Sequence, residues 1–310
     1  MSRIVITEFM DESAVSRLSE AAATTYQPDL VDRRADLVAA LAGAEVLVVR
    51  NRTRVDAELL DAGQGLRAVG RLGVGLDNID LDACKARGIE VWPATGANDL
   101  AVAEYVITSA MMLLRGAYLA SASVAAGEWP RQSLIGREMS GRVMGLLGFG
   151  AIARQVAARA RALGMSVIAH DPHLPQSDPA WQDARPVSLD ELLSQSDVLS
   201  LHVPLTAQTR HIVDAAALSR MQQGAVLINA ARGGVVDEAA LAVALKEGRV
   251  AGAALDVFEV EPLTAESGAH FGGIGNVILT PHIAGVTEES NVRVSNLIAD
   301  KVLNHLKERV

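Results

Sequence analysis

Gly145-Leu-Leu-Gly-Phe-Gly-Ala-Ile-Ala153 is the stretch that decides how this chain is read. It begins in an apolar run, Val143 to Leu147, turns through Gly148 and Gly150, and enters a helical pattern from Ile152 to Leu163. A strand, a glycine turn and a helix in that order is the context in which G-x-G-x-x-G/A signals a dinucleotide. Gly148 permits the tight turn, Gly150 lets the backbone approach a pyrophosphate, and Ala153 lets helix and strand pack closely. The N–H groups at the helix start then face the phosphates. Taken alone, the motif also fits a plain structural turn. The next strand, Val167 to Ala169, ends in His170-Asp171, and an acid about 20 positions past the glycines is where ribose hydroxyls are held. A carboxylate there repels a 2′-phosphate. Pro172 and His173 follow it, not an arginine, so NAD is expected over NADP.

The 310 residues are 50% hydrophobic and only 3% aromatic, enough for two domains with filled cores. Ala, Val and Leu dominate, as buried parallel strands under helices require. The net charge is −9 with no Lys/Arg block, so no nucleic-acid partner is expected. A single cysteine, Cys84, excludes an internal disulfide and a cage of several thiolates. It reads as a small buried helix residue, and no metal is expected. Met1-Ser-Arg-Ile-Val-Ile-Thr enters a strand-like run at once, with no room for a signal peptide. The longest apolar stretch, Ala101 to Gly127, is broken by Glu104 and Arg115, which makes it a packed helix and not a membrane span. A cytoplasmic protein follows.

Up to about residue 95, strand-like runs (Ile4–Ile6, Val46–Val49, Ala68–Leu72, Ile89–Trp92) alternate with helical ones (from Asp11, Ala35–Leu41, Asp56–Ala62, Asp80–Ala86). Such alternation predicts a parallel sheet. A long helix is expected over Asn98–Gly116. A second alternation then supplies strands at Val143–Leu147, Val167–Ala169, Val198–Val203, Val226–Ile228, Ala253–Val257 and Val277–Leu279. Six strands suit the two halves of a doubly wound Rossmann sheet. A last helix, Thr287–Leu306, is expected to cross back to the first unit. That arrangement gives a discontinuous substrate-binding domain, 1–97 plus 287–310, with the NAD-binding domain 98–286 inserted into it, and a cleft between them as the ligand site.

Three loops follow the carboxyl ends of late strands, the edge where open α/β sheets bind ligands. They carry Asn229-Ala-Ala-Arg-Gly-Gly-Val-Val-Asp-Glu238, Asp256-Val-Phe-Glu-Val-Glu-Pro262 and Thr280-Pro-His-Ile-Ala-Gly285. Arg232, Glu261 and His282 bring complementary chemistry. Arginine holds a carboxylate in bidentate fashion, histidine exchanges a proton near neutral pH, and a carboxylate beside it favours the imidazolium. Each also has a bland alternative: a helix cap or solvated arginine, an exposed turn glutamate, a loop histidine bonded to backbone.

On these motifs the chain resembles the D-isomer-specific 2-hydroxyacid dehydrogenases along essentially its whole length. The resemblance implies a Rossmann domain inserted into a flavodoxin-like α/β substrate domain, and a homodimer formed through the 98–130 region. It makes Arg232 the substrate anchor, His282 the acid/base and Glu261 its partner. It also implies cofactor contacts from Gly148, Phe149, Gly150, Ala151 and Ile152 in the turn and from Asp171. Further contacts come from His202, Pro204, Thr209, Ala230, Asp256, His282 and Gly285. Asp256 resembles the residue that holds the nicotinamide amide, with a structural bond to the arginine loop as the alternative. Leu72-Gly-Val-Gly-Leu-Asp77 resembles the family's carboxylate loop, with the N–H groups of Val74 and Gly75 as donors in a nest. Ala153 departs from a third glycine, a tolerated change.

Arg50, Arg52, Arg54 and Arg71 cluster near the ends of two strands of the first unit. These segments resemble phosphoglycerate dehydrogenases, where positions matching Arg50 and Arg71 help hold a phosphate, and the opening stretch resembles sulfolactate dehydrogenases. A substrate with a second anionic head, 3-phosphoglycerate or sulfolactate, is therefore expected. The alternative is surface arginines paired with Asp56 or Glu58. The chain end at Val310 leaves no room for a regulatory domain, so serine feedback is not expected. A broad glyoxylate/hydroxypyruvate reductase, or an NAD(H)-sensing binding protein of the corepressor type, are the competing readings.

Overall fold

A computed structural model of the protein describes residues 4–308. The extreme ends assigned above to the substrate domain, 1–3 and 309–310, lie outside the described residues. The chain forms two compact units: one up to Asn98 together with Val286 onward, the other Asp99–Gly285.

The first unit runs β1 (Ile4–Ile6), α1 (Glu12–Ala21), β2 (Thr24–Tyr26), α2 (Arg34–Ala40), β3 (Val46–Val49), α3 (Ala57–Ala62), β4 (Ala68–Arg71), α4 (Leu81–Ala86) and β5 (Glu90–Pro93). All neighbouring strands are parallel, in the order β2-β1-β3-β4-β5. Strand side chains alternate between faces. Ile4, Ile6, Val46 and Val48 therefore share one core, whereas Val5, Leu47 and Val49 share the other with Leu37, Leu59 and Leu60. Aspartates start three of the helices: Asp11, Asp56 and Asp80 each accept a backbone N–H of the first turn.

The second unit runs α5 (Asp99–Arg115), α6 (Ser121–Ala125), β6 (Val143–Leu147), α7 (Ala151–Ala162), β7 (Ser166–His170), β8 (Arg185–Pro186), α8 (Leu189–Gln195) and β9 (Val198–Leu201). It continues through α9 (Ala215–Arg220), β10 (Val226–Asn229), α10 (Glu238–Lys246), β11 (Gly252–Leu255) and β12 (Val277–Leu279). Its parallel sheet has the order β12-β11-β10-β9-β6-β7-β8. The order reverses beside β6, the switch point at which doubly wound sheets bind ligands. Met144, Leu146, Ile228 and Ala254 pack beneath α5 and α7, while Leu147, Leu199, Leu227 and Leu255 pack beneath α8, α9 and α10.

The last helix, α11 (Glu288–Lys307), belongs to the first unit. It lies on β4 because Gly70 has no side chain there; a Cβ would sit 2.7 Å from Ile298. Ser295 on α11 accepts the Asp11 N–H at 3.0 Å.

The sheets have one strand more apiece than the sequence pattern indicates. β2 is three half-buried residues, Thr-Thr-Tyr, and β8 is two exposed ones, Arg-Pro. Both are edge strands too short to show alternation, and proline is admissible at an edge. The helical run expected to Gly116 ends at Arg115, where Gly116 takes φ +64°. No single described helix is long and apolar enough to cross a membrane; α5 and the Ala117–Ala125 segment qualify only jointly and are bent by 72°.

Candidate active site

The glycine turn is built as its sequence demands. Gly148 sits at φ +87°, and a Cβ there would lie 2.7 Å from the His202 carbonyl oxygen. Only glycine accepts both conditions at once. Gly150 caps α7 without a side-chain bond, and a Cβ on it would meet no protein atom within 4 Å. There is thus room beside Gly150 at the start of α7, where the first-turn N–H groups lack intrahelical partners, which suits a pyrophosphate. Ala153 is fully buried against β6. Asp171, at the end of β7, accepts the Phe149 N–H at 2.9 Å through one oxygen and the His173 N–H at 2.9 Å through the other. Each oxygen keeps a second lone pair for a ribose hydroxyl. An uncapped helix start, a glycine turn with room beside Gly150 and an acid at its side fit NAD.

The other residues expected at the cofactor have structural partners as well. His202 follows β9, with its Nε2 3.0 Å from Ser200 Oγ. Burial pushes its imidazole from 6.5 down to about 4, so it is neutral. Thr209 folds back to donate to the Pro204 carbonyl at 2.6 Å. Ala230 lies just past β10, and Gly285 ends the unit.

The catalytic candidates converge on one edge of this sheet. His282 Nδ1 lies 2.7 Å from Glu261 Oε2, and the other oxygen of Glu261 accepts the Phe258 N–H at 2.9 Å. Burial raises the affinity of Glu261 for a proton, but the His282 bond, the Phe258 N–H and the Arg232 charge outweigh it. They hold the carboxyl below its ordinary value. Arg232 follows β10, in a turn knitted by Asn229, whose side chain accepts from Ala231 N–H and donates to the Arg232 carbonyl at 2.9 Å.

Asp256 does something the sequence did not announce. It is 1% exposed. Its carboxylate accepts from Ile283 N–H at 2.8 Å, Ala284 N–H at 2.8 Å and Thr280 Oγ1 at 2.6 Å. Its main-chain oxygen accepts the His282 N–H at 2.8 Å. Asp256 therefore clamps the histidine loop with its carboxylate and carbonyl, while its own N–H donates to the Asn229 carbonyl at the start of the arginine loop at 2.9 Å; together these hold His282 at φ +53°, a left-handed conformation that needs such support. Tyr105 from α5 extends the chain, with its hydroxyl 2.7 Å from Thr280 Oγ1. Thr280 opens the histidine motif but had no role of its own in it, and Tyr105 lies on α5 outside every motif.

In the first unit the arginines separate. Arg52 pairs with Asp32, and Asp56 and Glu58 are taken by Arg34. Arg50 has no ion pair among the described residues. Its guanidinium donates to Asn291 Oδ1 at 2.8 Å and lies 5.8 Å from the centre of the Phe9 ring. Burial lowers its proton affinity, and only the nearby Glu8 charge opposes this. Glu8 is spent on the backbone, accepting the N–H groups of Arg50, Arg52 and Thr53. Arg71 lies back against Gly73, where a Cβ would collide with its guanidinium. The N–H groups of Val74 and Gly75 donate to no described protein acceptor. Asn291 lies 241 residues from Arg50 and in no motif, and Phe9, though within the opening stretch, carries no local sign that its ring meets Arg50. Among the described residues no group of three or more His, Cys, Asp or Glu side chains is arranged to hold a metal ion.

A dinucleotide turn and a histidine–carboxylate pair within one doubly wound unit define an NAD-dependent oxidoreductase. Residues 107–284 match the family described as D-isomer specific 2-hydroxyacid dehydrogenase, NAD binding domain, and the chain belongs to that family. It is 56% identical to an (S)-sulfolactate dehydrogenase of Chromohalobacter salexigens, over 97% of each chain. It is 41% identical to a hydroxypyruvate reductase of Thermotoga maritima, over 87% of this chain and 88% of that one. It is also similar to the crystal structure of an Aquifex aeolicus D-lactate dehydrogenase complexed with NAD and lactic acid. The TM-score is 0.84 at 29% identity, over 98% of this chain and 96% of that one. The protein is an NAD-dependent enzyme that interconverts a D-type 2-hydroxy acid and its 2-keto acid.

Proposed function

We propose that the chain interconverts sulfolactate and sulfopyruvate, that Arg232, Glu261 and His282 carry the chemistry, and that Arg50 and Arg71 read the sulfonate. The observation that carries the substrate reading is Arg50, a desolvated guanidinium aimed by Asn291 and bound to no carboxylate. A half-buried guanidinium whose nearest carboxylate, Glu8, is committed to backbone N–H groups favours an anionic ligand. The sulfolactate dehydrogenase relative supports the same substrate. Its stereochemistry agrees with the family: sulfur raises the methylene above the carboxyl in priority, so (S)-sulfolactate has the spatial arrangement of a D-2-hydroxy acid.

NAD(H), when bound, supplies or accepts the reducing equivalents; Gly148, Phe149, Gly150, Ala151, Ile152 and Asp171 would hold it. His202, Pro204, Thr209, Ala230 and Gly285 would line its remaining length. The carboxylate of Asp256, committed to the histidine loop, would reach the cofactor only as a secondary role. Arg232 grips the substrate carboxylate in bidentate fashion, with Val74 and Gly75 N–H as further donors. His282 has Nδ1 engaged by Glu261. Nε2 is left to give a proton to the keto oxygen in reduction and to take it back in oxidation. Ionised Glu261 stabilises the imidazolium that this requires. Such acid catalysis contributes roughly 10²–10⁴-fold. In this reading 1–97 plus 287–310 bind substrate and 98–286 bind NAD.

Arg50→Ala is the test. Loss of a charge-assisted hydrogen bond is worth about 1.5–3 kcal/mol, so KM for sulfopyruvate should rise roughly 10- to 100-fold while pyruvate is little affected. Equal losses on both substrates, or better turnover of hydroxypyruvate than of sulfopyruvate by the unaltered enzyme, would displace the sulfonate reading.

The reading includes a cytoplasmic homodimer formed through residues 98–130. Turnover of NADH needs the intracellular nicotinamide pool. Tyr118 and Trp129 are 63% and 79% exposed, large apolar surfaces that suit a protein partner. Light scattering should give twice the chain mass, and Trp129→Glu should halve it; a monomer before substitution contradicts this.

A further inference from the structure

Glu238 is an acid at the first position of α10, a place where acids normally sit in solvent beside the helix dipole. Here it is 6% exposed. The cap is supplied by its neighbour Asp237, which accepts the Ala240 N–H, so Glu238 is not needed for that role. Its Oε1 accepts the Glu259 N–H at 2.6 Å, and its own N–H points at Glu259 Oε1 from 3.4 Å. His211 Nε2 holds Glu259 Oε1 from outside at 3.2 Å, and His270 Nε2 faces Glu238 Oε2 at 3.7 Å.

The Glu259 N–H belongs to the same planar peptide as the Phe258 carbonyl. That carbonyl is pressed against Gly233, where any Cβ would collide with it. One rigid plane is thus held at both ends, by a glycine on the carbonyl side and by Glu238 on the amide side. The next N–H upstream, that of Phe258, anchors Glu261 Oε1, and Glu261 Oε2 meets His282. Only the Phe258 residue itself separates the clamped peptide from the anchor of the proton-handling pair.

We propose that Glu238 is a positioning residue for the Glu261–His282 pair, acting through the Phe258–Glu259 peptide. The inference rests on the reading of His282 as acid/base. Glu238 touches neither substrate nor cofactor in this account. It fixes where the Phe258 N–H points, and so where Glu261 offers its second oxygen. Burial raises its proton affinity, the Glu259 N–H opposes this, and the Glu259 and Glu261 charges add to it. A neutral side chain that keeps the acceptor should therefore serve as well as the carboxylate.

Glu238→Ala, Glu238→Asp and Glu238→Gln, assayed with NADH and sulfopyruvate or hydroxypyruvate, separate the possibilities. Gln keeps the acceptor in place, whereas Asp withdraws it by one methylene. Misplacement of a catalytic group by about 1 Å costs roughly 10²-fold. The expected result is a kcat roughly 10- to 100-fold down in Ala and Asp, with KM and NADH affinity within about threefold, and kcat close to wild type in Gln. If the Ala protein does not fold, the Asp–Gln pair decides. Equal kcat in Asp and Gln, or a loss confined to KM, overturns the inference. His282→Ala runs in parallel: turnover retained there refutes the acid/base reading itself, whatever Glu238 does.

Discussion

Asp256→Asn isolates the clamp on the histidine loop. The carboxylate receives three donors: Thr280 Oγ1 and Ile283 N–H on one oxygen, Ala284 N–H on the other. An asparagine keeps the first oxygen and turns an NH₂ toward the Ala284 N–H. Two donors then face each other where the wild type is buried, with Asp256 1% exposed and Ala284 5%. Leaving a buried donor unsatisfied costs about 1–3 kcal/mol, and the remaining bonds lose their charge assistance, roughly half their strength. A total of about 2–4 kcal/mol is expected. The alternative to bearing it is for the loop to relax, and His282 has reason to, since a left-handed non-glycine residue stores about 1–3 kcal/mol. The unfolding free energy from urea titration should fall by that total, and kcat should fall at least about tenfold as His282 leaves register. Wild-type stability together with wild-type kcat would refute the clamp. Lost NADH affinity with unchanged stability would show instead that Asp256 serves the cofactor first.

Gly148→Ala and Gly150→Ala should part company. The first forces a Cβ against the His202 carbonyl at positive φ and should cost at least about 1–2 kcal/mol of stability. The second meets no protein atom, so stability should hold while NADH affinity, read by fluorescence titration, drops; unchanged affinity contradicts the cradle. Asp171→Asn keeps an acceptor for the Phe149 N–H but removes the charge that repels a 2′-phosphate. It should raise the NADPH/NADH efficiency ratio about tenfold, from roughly 1–4 kcal/mol of screened repulsion, and an unaltered ratio counts against it. For His202 the folded pKa is depressed from 6.5 to about 4, so the unfolded chain takes up the proton first as pH falls. Its contribution to stability is complete above about 6.5 and is lost toward 4, at most about 3 kcal/mol. The stability advantage of wild type over His202→Gln, followed by urea unfolding from neutral to acid pH, should shrink by up to that amount; a constant difference contradicts it.

The parts of the molecule legible in the sequence are those fixed by short-range rules. Gly148, Gly150 and Asp171 are readable because a strand–turn–helix unit sets their spacing. His282 and Glu261 are readable because the loops after parallel strands gather at one sheet edge. β2 and β8 are not, being edge strands of three and two residues with no alternation to detect. Glu238 has the look of an ordinary helix-start acid, and nothing local says that a loop 21 residues away packs over it. Asn291 reaches Arg50 across 241 residues of chain. Asp256 was marked by its motif, but its partners depend on the backbone conformation of a loop from the neighbouring strand.

The most direct test of the central claim is NADH oxidation by the purified protein with sulfopyruvate, wild type beside His282→Ala. Steady turnover is expected in the first and a loss of roughly 10²–10⁴-fold in the second, with NADH bound equally well by both. Turnover surviving in His282→Ala, or a wild type that binds NADH tightly and reduces neither sulfopyruvate nor any other 2-keto acid, would contradict that claim.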